Sequence, residues 1–130
     1  MNKVLVIEDN PDNAKLIGYA LKRRGYEVVV ADTGMKGIEL SHDGSIAFIL
    51  MDIDLPGMDG LEATSQIRRS MEPGEIPIIA VTSCAMAGDI ARIIAAGCTG
   101  YFEKPIDPLT IVDDIESLIA RTSNAAGDER

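Results

Sequence analysis

The chain lacks tryptophan, and aromatic residues make up only 4% of its 130 residues. Its hydrophobic residues, 46% of the chain, are therefore mainly aliphatic. A core rich in valine, isoleucine and leucine is typical of a parallel β-sheet that helices cover on both faces. A chain of this length usually folds as one domain, so we expect a single α/β domain.

Cysteine and histidine are also scarce. Cys84 and Cys98 are too far apart for a C-x-x-C motif, and His42 is the only histidine. This excludes a zinc site built from cysteine and histidine ligands. We expect both thiols to be free, as in a reducing compartment.

Long hydrophobic runs are absent as well. The first apolar run ends after four residues at Glu8 and Asp9, which is not typical of a signal peptide. No apolar run reaches the length that crosses a bilayer. The sequence thus predicts a cytoplasmic protein with no membrane insertion.

Negative charge is in large excess, with a formal net charge of -9 and a sequence pI of about 4.4. Such a chain repels phosphate backbones, so we expect no binding of nucleic acid. Its carboxylates are instead suited to a cation or a basic partner.

Short apolar runs alternate five times with segments of helical periodicity. The predicted strands are residues 3–7, 27–31, 46–51, 78–82 and 100–103, and the predicted helices are 11–24, 33–42, 60–70, 87–96 and 107–122. This alternation is typical of a parallel sheet with right-handed crossovers. We place the domain at residues 1–122 and predict a flexible C-terminal tail at 123–130, where small and polar residues dominate.

Residues at the helix ends agree with this division. Pro11 suits the first turn of a helix, and Asp59 with Glu62 has the spacing of a capping box. Asp107 is a suitable N-cap for the last helix, with Pro108 at its first position.

Four of the predicted strands end in polar side chains that are suited to one chemistry. They are Glu8 and Asp9 after the first strand, Asp52 and Asp54 after the third, Thr82 at the end of the fourth and Lys104 after the fifth. The carboxyl ends of parallel strands lie at one edge of a sheet, where α/β proteins bind their ligands. We therefore expect these side chains to converge.

Carboxylates held close together repel one another unless a cation lies between them. Mg²⁺ binds one or two carboxylates together with phosphate oxygens, and Asp9 and Asp52 are the expected ligands, with Glu8 alongside. A carboxylate can also attack phosphorus and form an aspartyl phosphate. Lys104 and Thr82 could then stabilise the charged phosphoryl oxygens. The set predicts phosphoryl transfer to a carboxylate.

Four sequence motifs, VIEDN, ILMDIDLPGMDG, AVTS and GYFEKP, resemble those of the receiver domain of two-component response regulators. The resemblance extends from residue 3 to about residue 122. It implies a flavodoxin-like, doubly wound (βα)5 fold, with five parallel strands in the order 2-1-3-4-5.

The resemblance also implies roles for the acidic residues. Asp52 corresponds to the phosphoacceptor and Asp9 to the direct Mg²⁺ ligand, and Glu8 contributes indirectly. Asp54 occupies the position whose backbone carbonyl binds the metal.

Further roles follow from the same resemblance. Thr82 corresponds to the hydroxyl residue of the site, and Lys104, joined to Pro105 by a cis peptide bond, to the lysine that contacts phosphate. Thr82 and Tyr101 are the expected switch residues. Their movement would alter partner binding on the face formed by the fourth helix, the fifth strand and the fifth helix.

The resemblance therefore implies a phosphorylation-dependent signalling switch that catalyses only its own phosphorylation and dephosphorylation. Its donor would be a histidine kinase or a histidine phosphotransfer protein, and its downstream partner is a protein that the sequence does not identify. The chain resembles a stand-alone receiver, and the stretch SCAMAGDIARIIAAGCTGY is similar to single-domain regulators of the cell-division and hybrid-kinase type more than to chemotaxis regulators. A receiver domain cut from a hybrid kinase would show the same motifs.

Two other functions remain open at this stage. A receiver fold can serve as an adaptor that binds its partner without phosphorylation. The D-x-D motif of Asp52 and Asp54 also occurs in haloacid-dehalogenase phosphatases. In those enzymes further acids bind the metal late in the chain, whereas Asp113 and Asp114 fall within a predicted helix here.

Overall fold

A computed structural model describes residues 2–55, 57–70, 76–83 and 85–128 of the chain. The strands are β1 (Lys3–Ile7), β2 (Glu27–Ala31), β3 (Ile46–Asp52), β4 (Ile78–Thr82) and β5 (Gly100–Glu103). The helices are α1 (Pro11–Lys22), α2 (Gly34–Leu40), α3 (Gly60–Arg69), α4 (Ala87–Ala96) and α5 (Ile111–Asp128). The five strands are parallel and lie in the order β2-β1-β3-β4-β5, which confirms the predicted flavodoxin-like fold.

Each face of the sheet carries its own buried cluster, because successive residues of a strand point to opposite faces. The first face, which we call the α1/α5 face, packs against helices α1 and α5 through Val4, Val6, Phe48, Leu50 and Ile79. The second, the α3/α4 face, packs against α2, α3 and α4 through Leu5, Ile7, Ile49, Met51 and Ile78. The aliphatic core expected from the composition thus forms two layers.

The helix starts follow the sequence signals in two cases. Pro11 is the first residue of α1, and the Asn10 side chain caps that helix by accepting the N–H groups of Asp12 and Asn13. Asp59 Oδ1 accepts the Glu62 N–H at 2.8 Å, as the capping-box spacing predicts.

Helix α5 begins later than predicted. Asp107 does accept the N–H of Leu109 at 2.9 Å, but residues 108–110 form a separate turn, and the helix starts at Ile111. The backbone of α5 is helical as far as Asp128. The boundary between the domain and a tail at 122/123 stays a prediction, and residues 129 and 130 lie outside the described residues.

Of the two cysteines, Cys98 is a free and buried thiol, whereas Cys84 lies outside the described residues. None of the helices in the described parts of the chain combines the length and the hydropathy that a membrane crossing needs.

Gly60, the first residue of α3, lies directly against the end of strand β3. Its N–H donates to the carbonyl of Ile53 at 3.1 Å. A Cβ atom at this position would overlap the backbone carbonyl oxygen of Asp52 and would lie 2.7 Å from Ile53 Cα. The missing side chain therefore allows α3 to approach the backbone that carries Asp52.

We expect the substitution Gly60→Ala to lower the free energy of unfolding by about 1–3 kcal/mol, as is usual for overpacked sites. The matched control is Gly88→Ala in the first turn of α4, where an added Cβ meets nothing within 4 Å. That change should raise the free energy of unfolding by about 0.5–1 kcal/mol, because alanine favours a helix over glycine. Urea denaturation measures the free energy of unfolding of both variants. If Gly60→Ala raises it as much as Gly88→Ala does, α3 moves away from β3 without loss of stability.

Candidate functional site

Three carboxylates lie together at the carboxyl edge of the sheet. Oxygen atoms of Glu8, Asp9 and Asp52 all lie within 4.8 Å of one another. Glu8 and Asp9 directly follow β1, and Asp52 ends the neighbouring strand β3. Asp52 is only 3% exposed, whereas Asp9 faces solvent. Hard oxygen ligands at this spacing fit a cation such as Mg²⁺.

The charge of Glu8 is disfavoured by its surroundings. Burial, followed by a hydrogen bond with Asp52, raises the pKa of Glu8 to about 7, although the N–H of Asn10 opposes this from 3.2 Å. Both effects favour the neutral form of Glu8 over its carboxylate. A metal ion bound at the cluster would favour the carboxylate instead.

Lys104 provides the positive charge of the site. Its Nζ atom lies 2.9 Å from Asp52 Oδ1 and 3.8 Å from Asp54 Oδ2. Burial lowers the pKa of Lys104, but the hydrogen bond and charge of Asp52 outweigh this effect, so the pKa lies above its usual value. The side chain is thus a permanent cation beside a buried carboxylate.

The backbone around Lys104 holds it at this edge. Its N–H donates to the carbonyl of Thr82 at 2.8 Å, which continues the pairing of β4 with β5. The peptide bond between Lys104 and Pro105 is cis.

Asp54 links two loops at the site. Its N–H donates to Asp52 Oδ1 at 2.9 Å, and its carboxylate accepts the N–H and the hydroxyl of Ser83 at 3.2 and 2.9 Å. Its carboxylate does not belong to the three-acid cluster. The sequence analysis missed Ser83 as a partner, because no local pattern pairs residues that are 29 positions apart.

Thr82 and Tyr101 share the other face of the sheet. Thr82 is buried at the end of β4. Tyr101 on β5 lies in register with Ala80 on β4, which is two residues before Thr82. Tyr101 is half-buried and packs against the cluster on the α3/α4 face. Asp52 and Lys104 therefore continue the α1/α5 face at this edge, whereas Thr82 and Tyr101 belong to the α3/α4 face.

Asp113, one of the two acids late in the chain, forms an ion pair away from Asp52. Asp113 belongs to the first turn of α5, and its Oδ1 atom lies 2.6 Å from an Arg24 nitrogen. Within the described residues, the acids grouped closely enough to hold a metal ion are Glu8, Asp9 and Asp52. This arrangement does not favour the haloacid-dehalogenase interpretation, which needs late acids beside Asp52.

Two relatives are similar along most of this chain. Polar-differentiation response regulator DivK of Brucella ovis is 38% identical over 116 residues, which cover 89% of this chain and 94% of that protein. Hybrid signal transduction histidine kinase I of Dictyostelium discoideum is 42% identical over 126 residues. That match covers 92% of this chain but only 7% of the kinase, so the chain spans a small part of that relative.

Two solved structures share the fold over most of its length. The receiver domain of sensor histidine kinase PA1611 from Pseudomonas aeruginosa PAO1 is 33% identical, with a TM-score of 0.79, over 92% of this chain and 98% of that one. That structure has a magnesium ion coordinated in its active-site cleft. The complex of Saccharomyces cerevisiae Ypd1, a histidine phosphotransfer protein, with the receiver domain of Ssk1 matches at 26% identity. Its TM-score is 0.79, over 87% of this chain and 85% of the matched one.

The family model of the response regulator receiver domain matches residues 4–116, which is most of the chain. The matched segment contains the acid cluster, Thr82, Tyr101 and Lys104. Together with the likeness to DivK along nearly the full length of that protein, this match shows that the chain belongs to the response regulator receiver family of two-component signalling.

Proposed function

We propose that the protein is a signalling switch that accepts a phosphoryl group on Asp52. The observation that carries this proposal is the position of Asp52, a buried carboxylate that lies within 4.8 Å of two further acids and 2.9 Å from the Lys104 ammonium. A strand-end acid that served only to cap a loop would need neither the acids nor the lysine.

The acids would hold Mg²⁺ through the carboxylates of Asp9 and Asp52 and the backbone carbonyl of Asp54, with Glu8 acting indirectly. The close approach of the three carboxylates supports this set, and the magnesium ion in the PA1611 receiver domain supports the choice of metal. When bound, Mg²⁺ would neutralise charge on the phosphoryl oxygens.

In the proposed reaction, a carboxylate oxygen of Asp52 attacks the phosphorus of a phosphohistidine. The new P–O bond forms as the P–N bond breaks, and histidine leaves with its electron pair. Lys104 stabilises a phosphoryl oxygen by its charge, and the Thr82 hydroxyl donates a hydrogen bond to another. The chain modifies itself and later loses the phosphoryl group to water, so it is a switch with self-catalysis rather than a turnover enzyme.

The new charge would then act on the switch residues. Thr82 would move towards the phosphoryl group, and Tyr101 would turn inward into the space that Thr82 leaves on the α3/α4 face. The surface formed by α4, β5 and α5 would change its preference for a downstream protein. Such a change is a population shift that one covalent charge biases.

The proposed donor is a histidine kinase or a histidine phosphotransfer protein. The likeness to a hybrid histidine kinase and to a receiver domain solved with Ypd1 supports this class of partner. Such donors derive their phosphoryl groups from ATP, so we place the reaction in the cytoplasm.

Asp52→Asn should abolish phosphorylation, because the amide keeps the shape of the side chain but removes its nucleophilic oxygen. Intact mass after incubation with acetyl phosphate and Mg²⁺ measures the adduct. The control is Asp32→Asn, which changes an exposed acid just after β2 and should leave labelling unchanged. A phosphoryl adduct on the Asp52→Asn protein at the wild-type level would disprove the assignment of Asp52 as the phosphoacceptor. The alternative of an adaptor that acts without phosphorylation would then be favoured.

Asp9→Asn should weaken Mg²⁺ binding by at least about tenfold, since the change removes a charged ligand from the cluster. Calorimetric titration with MgCl₂ measures the affinity directly, without phosphorylation. Asp12→Asn removes the same charge from the exposed first turn of α1 and should change the affinity little. If both variants weaken binding equally, the cluster attracts the cation only by its overall charge.

Lys104→Ala should slow labelling by about a hundredfold, the usual cost of removing one charged donor from a reacting oxygen. The residual phosphorylated protein should bind its downstream partner no better than the unphosphorylated form. Lys36→Ala, which removes an exposed lysine paired with Asp32, is the control for the lost charge. Wild-type rates in the Lys104→Ala protein would show that this lysine takes no part in the reaction.

A further inference from the structure

A cavity of about 330 Å³ adjoins the acid cluster on the α1/α5 face of the sheet. Glu8, Asp52 and Lys104 form part of its wall. The other lining side chains are mainly apolar and include Val6, Leu16, Ile17, Leu50, Val81 and Ile106. Asp52 and Lys104 thus border a mainly apolar space.

The alternation of side chains along the strands explains this cavity. Val6 lies two residues before Glu8, and Leu50 lies two residues before Asp52, so each acid continues the apolar α1/α5 face of its strand. The apolar surface of β3 therefore extends along the strand as far as Asp52.

The late start of α5 leaves this surface partly uncovered. Residues 104–110 form loop and turn before the helix begins at Ile111. Pro105, Ile106 and Pro108 from this segment line one side of the cavity, and Leu16 and Ile17 of α1 line the other. Leu16 is 46% exposed, so the cavity is open to solvent beside it.

We propose that this cavity binds the apolar group of a small acyl phosphate, so that an aromatic acyl phosphate is a better phosphodonor than acetyl phosphate. The inference rests on the proposed phosphorylation of Asp52. The charges support this occupant, because the Lys104 ammonium attracts the phosphoryl end, whereas the apolar walls favour an uncharged acyl group. The cavity has the volume and the mainly apolar lining, with a few polar groups, that are typical of small-molecule sites.

The reaction balances without a further reagent. A carboxylate oxygen of Asp52 forms a bond to phosphorus as the bond between phosphorus and the acyl oxygen breaks. The electron pair of that bond stays on the departing carboxylate, which is benzoate or acetate. Burial of the aromatic ring lowers the free energy of the complex and of the transition state, because apolar surface leaves water in both.

The experiment compares benzoyl phosphate with acetyl phosphate as donors for the wild-type protein in the presence of Mg²⁺. Intact mass against time gives the second-order rate constant for labelling by each donor. Benzoate and acetate are leaving groups of similar acidity, so the two donors differ mainly in the group that the cavity would hold. We expect this rate constant to be about tenfold or more higher for benzoyl phosphate, as for other apolar groups in fitting pockets.

Two matched variants test the site of this preference. Leu16→Gln replaces a cavity side chain, and Met35→Gln replaces a methionine of α2 that is 64% exposed and lies outside the cavity lining. The ratio of the labelling rate with benzoyl phosphate to that with acetyl phosphate should fall towards one in Leu16→Gln. It should stay at the wild-type value in Met35→Gln. Thermal unfolding checks that both variants fold, and Ile106→Ala serves as a second cavity variant.

The outcomes separate the inference from the proposed function. If both donors label Asp52 equally well in the wild-type protein, the inference is overturned and the proposed function stands. A preference that survives in both Leu16→Gln and Ile106→Ala also overturns it, since the ring then binds elsewhere. If neither donor labels Asp52, the proposed function fails and the inference fails with it.

Discussion

The repulsion between carboxylates at the ends of β1 and β3 is the constraint on which the site depends. Asp52 is buried beside Glu8, the Lys104 ammonium lies 2.9 Å from Asp52, and burial together with Asp52 raises the pKa of Glu8 to about 7. A cation or a phosphoryl group at this edge would change the balance of charge directly.

Several contacts link the site to the rest of the fold. The Asp54 carboxylate joins the loop after β3 to Ser83 after β4, and Lys104 is paired through its backbone with Thr82. Gly60 brings α3 against the backbone of Asp52. The residues around Asp52 are thus connected to the ends of β4 and β5 and to the start of α3.

Periodicity and strand-end chemistry predicted much of this architecture. The observed strands β1, β2, β4 and β5 have the predicted bounds, because apolar runs of four or five residues are flanked by clear breaks. The predicted start of α5 at Asp107 was wrong, since a capped turn and a true helix start share the same local signals. The apolar surface beside Asp52 that the segment before α5 leaves uncovered has no pattern in the sequence.

The order of residues by itself determined the fold class, the parallel sheet and the meeting of Glu8, Asp9, Asp52 and Lys104 at one edge. These follow because side-chain periodicity and the handedness of crossovers are local properties. Only the tertiary structure decided the link between Asp54 and Ser83, the raised pKa of Glu8 and the cavity beside Leu16. Each of these depends on distances and burial between segments far apart in the chain, which no local pattern encodes.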